Sequence, residues 1–110
     1  DHMVLTKVSI GIAYASDIKE ATELMIQAVT QIDGVLKEPA PFVLFKEHGD
    51  STLNFDVYFA VNVINKMERW VFESQANYRL NDTLRAAGVD IAFPQLDVHV
   101  KDGAISRRET

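Results

Sequence analysis

The side chains that could do chemistry near neutral pH are few. The chain has three histidines, His2, His48 and His99, and no cysteine. A cysteine nucleophile, a disulfide framework and a thiolate metal site are therefore excluded. Asp97 and His99 are two residues apart, so on a strand they share one face. A metal would need a third ligand beside them, which the spacing does not supply. The pair reads as a solvated strand end. His48 sits in a tight-turn sequence, Glu47-His48-Gly49-Asp50. None of the serines (Ser9, Ser16, Ser51, Ser74, Ser106) has the flanking glycines of a nucleophile elbow. Gly11 alone makes no phosphate loop, and no Walker or dinucleotide fingerprint occurs. The expectation is a domain with no catalytic residue, no cofactor and no metal.

The elements that would position a site are easier to read. Val8, Ile10, Ile12 and Tyr14 alternate with small residues, giving a first strand from about Val4 to Tyr14. Asp17, with Glu20 three residues on, opens a helix in capping-box spacing. Ile18, Ala21, Leu24, Met25, Ala28, Val29 and Ile32 then form one helical stripe, ended by Gly34. Glu38-Pro39-Ala40-Pro41 predicts a stiff extended connector. Phe42–Lys46 and residues 52–63 predict a hairpin, the second strand alternating strictly through Leu53, Phe55, Val57, Phe59 and Val61. A second helix is expected from Lys66 to Ala87, stopping at Gly88. Its core face is Phe72, Ala76, Leu80, Thr83, Leu84 and Ala87. Met67, Val71 and Tyr78 fall on the other side, with Trp70 at its edge, a second apolar strip that a domain without neighbours would not need. They are the candidate subunit-interface residues. Val89–Phe93 and Leu96–Val100 are the last extended segments, broken by Pro94. The order strand-helix-strand-strand-helix-strand predicts an α+β class fold. It is a ferredoxin-like split βαβ sandwich, with two helices packed on one face of an antiparallel sheet.

Composition limits the partners. The chain has 110 residues, 47% of them hydrophobic and 25% charged, which is globular and not disordered. It is long enough to bury roughly two-thirds of its extended surface without a staple. Sixteen acidic and eleven basic residues leave a net charge of −5, with the deficit mainly in the first fifty. Such a chain lacks the basic field that nucleic acid requires. No apolar run approaches the length of a membrane span. Asp1-His2-Met3 reads as a cloning scar, residues 4–100 as the folded domain, and residues 101–110 as a flexible tail.

Several stretches, in order, resemble the cytoplasmic C-terminal region of the small-conductance mechanosensitive channel (MscS) family. They are Val8-Ser9-Ile10-Gly11-Ile12-Ala13-Tyr14 with Ser16-Asp17-Ile18, then Leu36-Lys37-Glu38-Pro39-Ala40-Pro41, then the Gly49-Asp50-Ser51 turn. The closing stretch Ala87-Gly88-Val89-Asp90-Ile91-Ala92-Phe93-Pro94-Gln95, with Asp97-Val98-His99 after it, is the most specific. Ala15 stands where the family commonly has aspartate, and Ala92 where it has a first proline. The resemblance implies a subunit of a homoheptameric channel in the inner membrane, with this domain on the cytoplasmic side. Such a channel opens under bilayer tension on hypo-osmotic shock. Its C-terminal domains form a hollow cage through which ions and small solutes pass. The rival reading is a small-ligand regulatory domain of the same fold.

Overall fold

A computed structural model describes residues 2–92. Six elements follow one another: β1 (His2–Ala13), α1 (Ile18–Thr30), β2 (Phe42–His48), β3 (Thr52–Val63), α2 (Lys66–Ala86) and β4 (Ile91–Ala92). The strands form one sheet in the order β2-β3-β1-β4, every neighbouring pair antiparallel. Both helices lie on one face of it, as the α+β split βαβ reading expects.

The period of two on the central strands decides the layering. Val8, Ile10 and Ile12 of β1 and Leu53, Phe55, Val57, Phe59, Val61 and Val63 of β3 point to the helices and are buried. Beneath them α1 lays Ala21, Met25, Ala28 and Val29, and α2 lays Ala76, Leu80 and Leu84. Each large side chain moved from water into this layer contributes about 1.5–3 kcal/mol. The core stripe of α2 is narrower than its spacing suggests. Phe72 is only partly buried, and Ala87 is exposed beyond the last turn.

Both helix starts are capped. The backbone N–H of Glu20 donates to Asp17 Oδ1 at 3.1 Å, and that of Glu68 donates to Asn65 Oδ1 at 3.0 Å. Glu68 also accepts from the N–H of Ile64, the residue before the cap, at 2.6 Å, which ties the incoming chain to the first turn. Asn65-x-x-Glu68 carries the same spacing in sequence as Asp17-x-x-Glu20.

The fold differs from expectation in four places. The start of β1 is His2, because β3 runs on to Val63 and offers His2 and Met3 partners in Val63 and Asn62. Folded pairing thus includes two residues that the sequence reading set aside. The first helix ends at Thr30, and a following turn keeps Ile32 buried while swinging Leu36 onto β3, where its N–H donates to the Ala60 carbonyl at 2.8 Å. Ile18, in the first turn, stays on the surface. The proline connector bends instead of running extended. Val35 faces Val61 and Phe42 faces Tyr58 on the same edge of β3. Seven extended steps would cover about 23 Å, whereas three steps along β3 cover about 10 Å, so the excess chain must loop out. The expected strand Leu96–Val100, the Asp97–His99 pair and the tail 101–110 lie outside the described residues.

Two glycines have left-handed backbone, Gly34 at φ 98° and Gly88 at φ 80°. A Cβ on Gly34 would stand 2.9 Å from the Phe72 ring, whereas one on Gly88 meets nothing within 4 Å. Gly88→Ala should therefore cost about 1–2 kcal/mol from backbone alone. Gly34→Ala should cost that and roughly 1 kcal/mol more for displaced packing. Urea denaturation of both variants checks the difference, and equal losses would mean that Phe72 yields freely.

Candidate functional site

Polar groups that the fold buries must each be satisfied or used. Among the described residues two stand out, Thr6 and Asp56, at 1% and 4% exposure. Thr6 lies under α2. Its hydroxyl donates to Glu73 Oε2, while Arg69 Nε donates to Thr6 Oγ1 at 3.1 Å and to Glu73 at 3.3 Å. The triad anchors α2 across β1. Arg69 and Glu73 are four residues apart, one above the other on the helix, so both reach the same strand position. The sequence reading missed it, since a threonine among apolar alternating positions gives no signal until α2 is laid across it.

Asp56 lies on the opposite side of the sheet, the face without helices. It accepts from the Ser9 hydroxyl at 2.7 Å and from Lys7 Nζ at 3.3 Å. Burial pushes its carboxyl up, but the Ser9 and Lys7 hydrogen bonds and the charges of Lys7 and Lys46 outweigh that and leave it below the usual carboxylate range. Lys7 also lies 5.9 Å from the centroid of the Tyr58 ring. This is a satisfied ion pair and not a general base, for every strong partner of the carboxylate holds it ionised.

His48 lies at the hairpin end of the sheet. Its ring stacks on Tyr14 with centroids 6.2 Å apart and meets the Phe45 ring edge-on at 5.1 Å. The Tyr14 hydroxyl donates to the Gly49 carbonyl. The cluster ties the β1–α1 turn to the hairpin. Among the described residues, no three His, Asp or Glu side chains are gathered as metal ligands. Nor is any helix among them long and apolar enough to cross a membrane.

The four candidate interface residues are all on the surface. Met67, Trp70, Val71 and Tyr78 are 66%, 59%, 51% and 71% exposed. They sit on the side of α2 turned away from Ala76, Leu80 and Leu84. A depression of about 260 Å³ lined by Ser74, Asn77, Tyr78 and Asn81 continues the strip, without a charged side chain. A second apolar patch was not foreseen. Met3, Leu5, Phe42 and Leu44 are 50%, 46%, 38% and 51% exposed. Opposite Asn62, Ala60, Tyr58 and Asp56 respectively, they share the helix-free sheet face with the Lys7–Asp56 pair. The signal was present in the even positions of β2 and odd positions of β1, but the period of two was followed only toward the core.

These features define a class: a small α+β sandwich whose described surface offers apolar faces for contact. Residues 6–91 match the family described as "Mechanosensitive ion channel MscS, C-terminal". An MscS family protein of Haemophilus influenzae is 33% identical over 95 residues, which cover 86% of this chain and 8% of that protein. The mechanosensitive channel MscK of Escherichia coli is 32% identical over 93 residues, 84% of this chain and again 8% of the relative. The fold matches Helicobacter pylori MscS in its closed state with a TM-score of 0.70 at 21% identity, over 94% of this chain and 40% of that one. Arabidopsis thaliana MSL1 gives 0.64 at 13% identity, over 84% and 34%. The chain belongs to the MscS family of mechanosensitive ion channels and corresponds to its C-terminal domain. The match spans about a twelfth of the length of each of these two relatives.

Asp56→Ala removes an acceptor of two hydrogen bonds and should cost about 1–3 kcal/mol at pH 7. Because the folded carboxyl titrates below its unfolded value, this contribution is complete above the ordinary carboxylate range. It should disappear as pH falls through the depressed value. Chemical denaturation of both proteins from pH 7 to pH 2.5 reads the gap. A gap that persists at the lowest pH would show that the loss is one of packing, not charge.

Proposed function

We propose that this domain is a wall segment of the cytoplasmic cage of an inner-membrane mechanosensitive channel. In this reading it assembles with copies of itself into a homoheptamer and carries out no catalysis. The full-length channel opens under membrane tension and releases ions and small solutes. The domain contributes a rigid sandwich, lateral contacts and a polar wall past which hydrated solutes move. Membership of the channel family supports the reading, and the observation that carries it in this chain is the outward strip of α2. Four large apolar side chains within about three turns, each more than half exposed, are what a subunit contact uses.

Replacing Trp70 and Val71 together by glutamate in the full-length protein should weaken assembly without unfolding the domain, because neither side chain is in the core. Sedimentation should show smaller species and circular dichroism an unchanged fold. Intact heptamers of unchanged stability would remove this helix face from the interface.

A further inference from the structure

The two exposed apolar patches lie on opposite sides of the domain. The helices cover one face of the sheet, and the α2 strip is turned away from it. The Met3, Leu5, Phe42 and Leu44 patch is on the bare face. Two different surfaces on opposite sides cannot satisfy each other within one molecule, but they can between successive copies.

We propose that the bare sheet face is the docking surface for the α2 strip of the next copy of this chain, which makes the contact head-to-tail. This rests on the self-assembly read above and adds which two surfaces meet.

The dimensions agree. From Met67 to Tyr78 the strip is about 16 Å long on a helix about 10 Å wide. From Met3 to Lys7 the sheet patch runs about 14 Å, and three strands make it about 10 Å across.

The charges agree as well. The strip runs through Met67, Trp70, Val71, Ser74, Tyr78 and Asn81 without a charge. At the centre of the sheet face Lys7 and Asp56 are already paired at 3.3 Å, so covering that pair strands no charge. Lys46, which acts on the same carboxylate, is exposed on the edge strand β2, where its ammonium can stay in solvent. The mode of contact is also the one the sheet uses on its other side, a helix laid on alternating strand residues. The neighbour's α2 would complete a three-layer sandwich.

Symmetry follows from this. A contact between unlike patches is heterologous, and it closes into a ring when the rotation per subunit allows. The footprint, roughly 160 Å² from these dimensions, is far below the ~800 Å² per partner of a stable pair. An isolated pair of domains is therefore weakly held, and the contact acts when the rest of the channel gathers the copies.

The absence of cysteine in this chain makes the test direct. Leu5→Cys and Val71→Cys, singly and together, would be placed in the full-length protein with any other cysteines removed, then oxidised under non-reducing conditions. One cysteine per subunit can link two chains at most. The double variant should give a ladder extending beyond the dimer, and each single variant should remain monomeric on the gel. No ladder from a double variant whose assembly is intact by sedimentation would overturn this pairing and leave the proposed function standing. Dimers from Leu5→Cys alone would overturn it in favour of sheet-on-sheet contact. A Leu5→Cys thiol closed to maleimide in dissociated subunits would overturn it by showing that a flanking segment of the same chain covers the face. If the protein with its natural residues sediments as a single subunit, the self-assembly reading itself falls, and this pairing with it.

Discussion

Everything in the domain is referred to the antiparallel pairing of β1 with β3. The two strands match residue for residue from His2–Val63 to Ala13–Thr52 without a bulge. A slip of β3 by one residue against β1 would carry Phe55 to the bare face and bring Asp56 under the helices, away from Ser9 and Lys7. Burying that carboxylate without its lysine would cost several kcal/mol. The register is thus held from both sides: apolar side chains demand the helix face, and the ion pair demands the other. Only β2, at the edge, departs from strict register, with a bulge between Phe45 and Glu47 where the hairpin begins to turn.

This arrangement explains why α2 can be apolar on two sides and still lie in one orientation. A helix with Met67, Trp70 and Val71 opposite Ala76, Leu80 and Leu84 has little amphipathic preference of its own. By hydrophobicity alone it could roll and bury the larger side chains. Two terms oppose the roll. The small and medium residues of the inner stripe fit the closely packed core between the helices and the sheet, where Trp70 would overpack. The Thr6–Glu73–Arg69 triad fixes the rotation, because rolling the helix would leave a buried hydroxyl without its partner. The outer strip is left to solvent by geometry, not by weak hydrophobicity.

Much of this was legible in the residues. The alternation from Leu53 to Val61 and the stripe from Ala21 to Val29 are periodic signals of burial, and burial is what the fold obeys. The four exposed residues of α2 were legible for the same reason, as those left over when a core face is assigned. What could not be read depends on the assembled sheet. Thr6 and Asp56 have ordinary surroundings in sequence, and their partners Glu73 and Lys7 are identified only by topology and register. The second apolar patch draws on two strands, β1 and β2, that are distant in sequence and are brought to either side of β3 only by the sheet order, and neither carries enough of it to be noticed alone. The bend at Lys37–Pro39 follows from where β3 receives Val35 and Phe42, a long-range constraint that local proline rules do not contain.

The weakness of a small contact also bears on how such a domain would serve a channel. A contact with a dissociation constant near 1 mM contributes about 4 kcal/mol at a one-molar standard state. At micromolar concentrations it leaves free domains almost entirely apart. Tethering the copies raises their effective concentration to the millimolar range, where the same contact is formed about half the time. When several such contacts close a ring, the last is made within one assembly, and opening any one of them leaves its two chains still joined through the others. A wall built this way holds its overall shape while single contacts open and close. Larger and stronger patches would make it rigid, and would also make the lone domain aggregate through surfaces that can pair without limit. The modest size of both apolar faces and the already neutralised charge between Lys7 and Asp56 satisfy both demands.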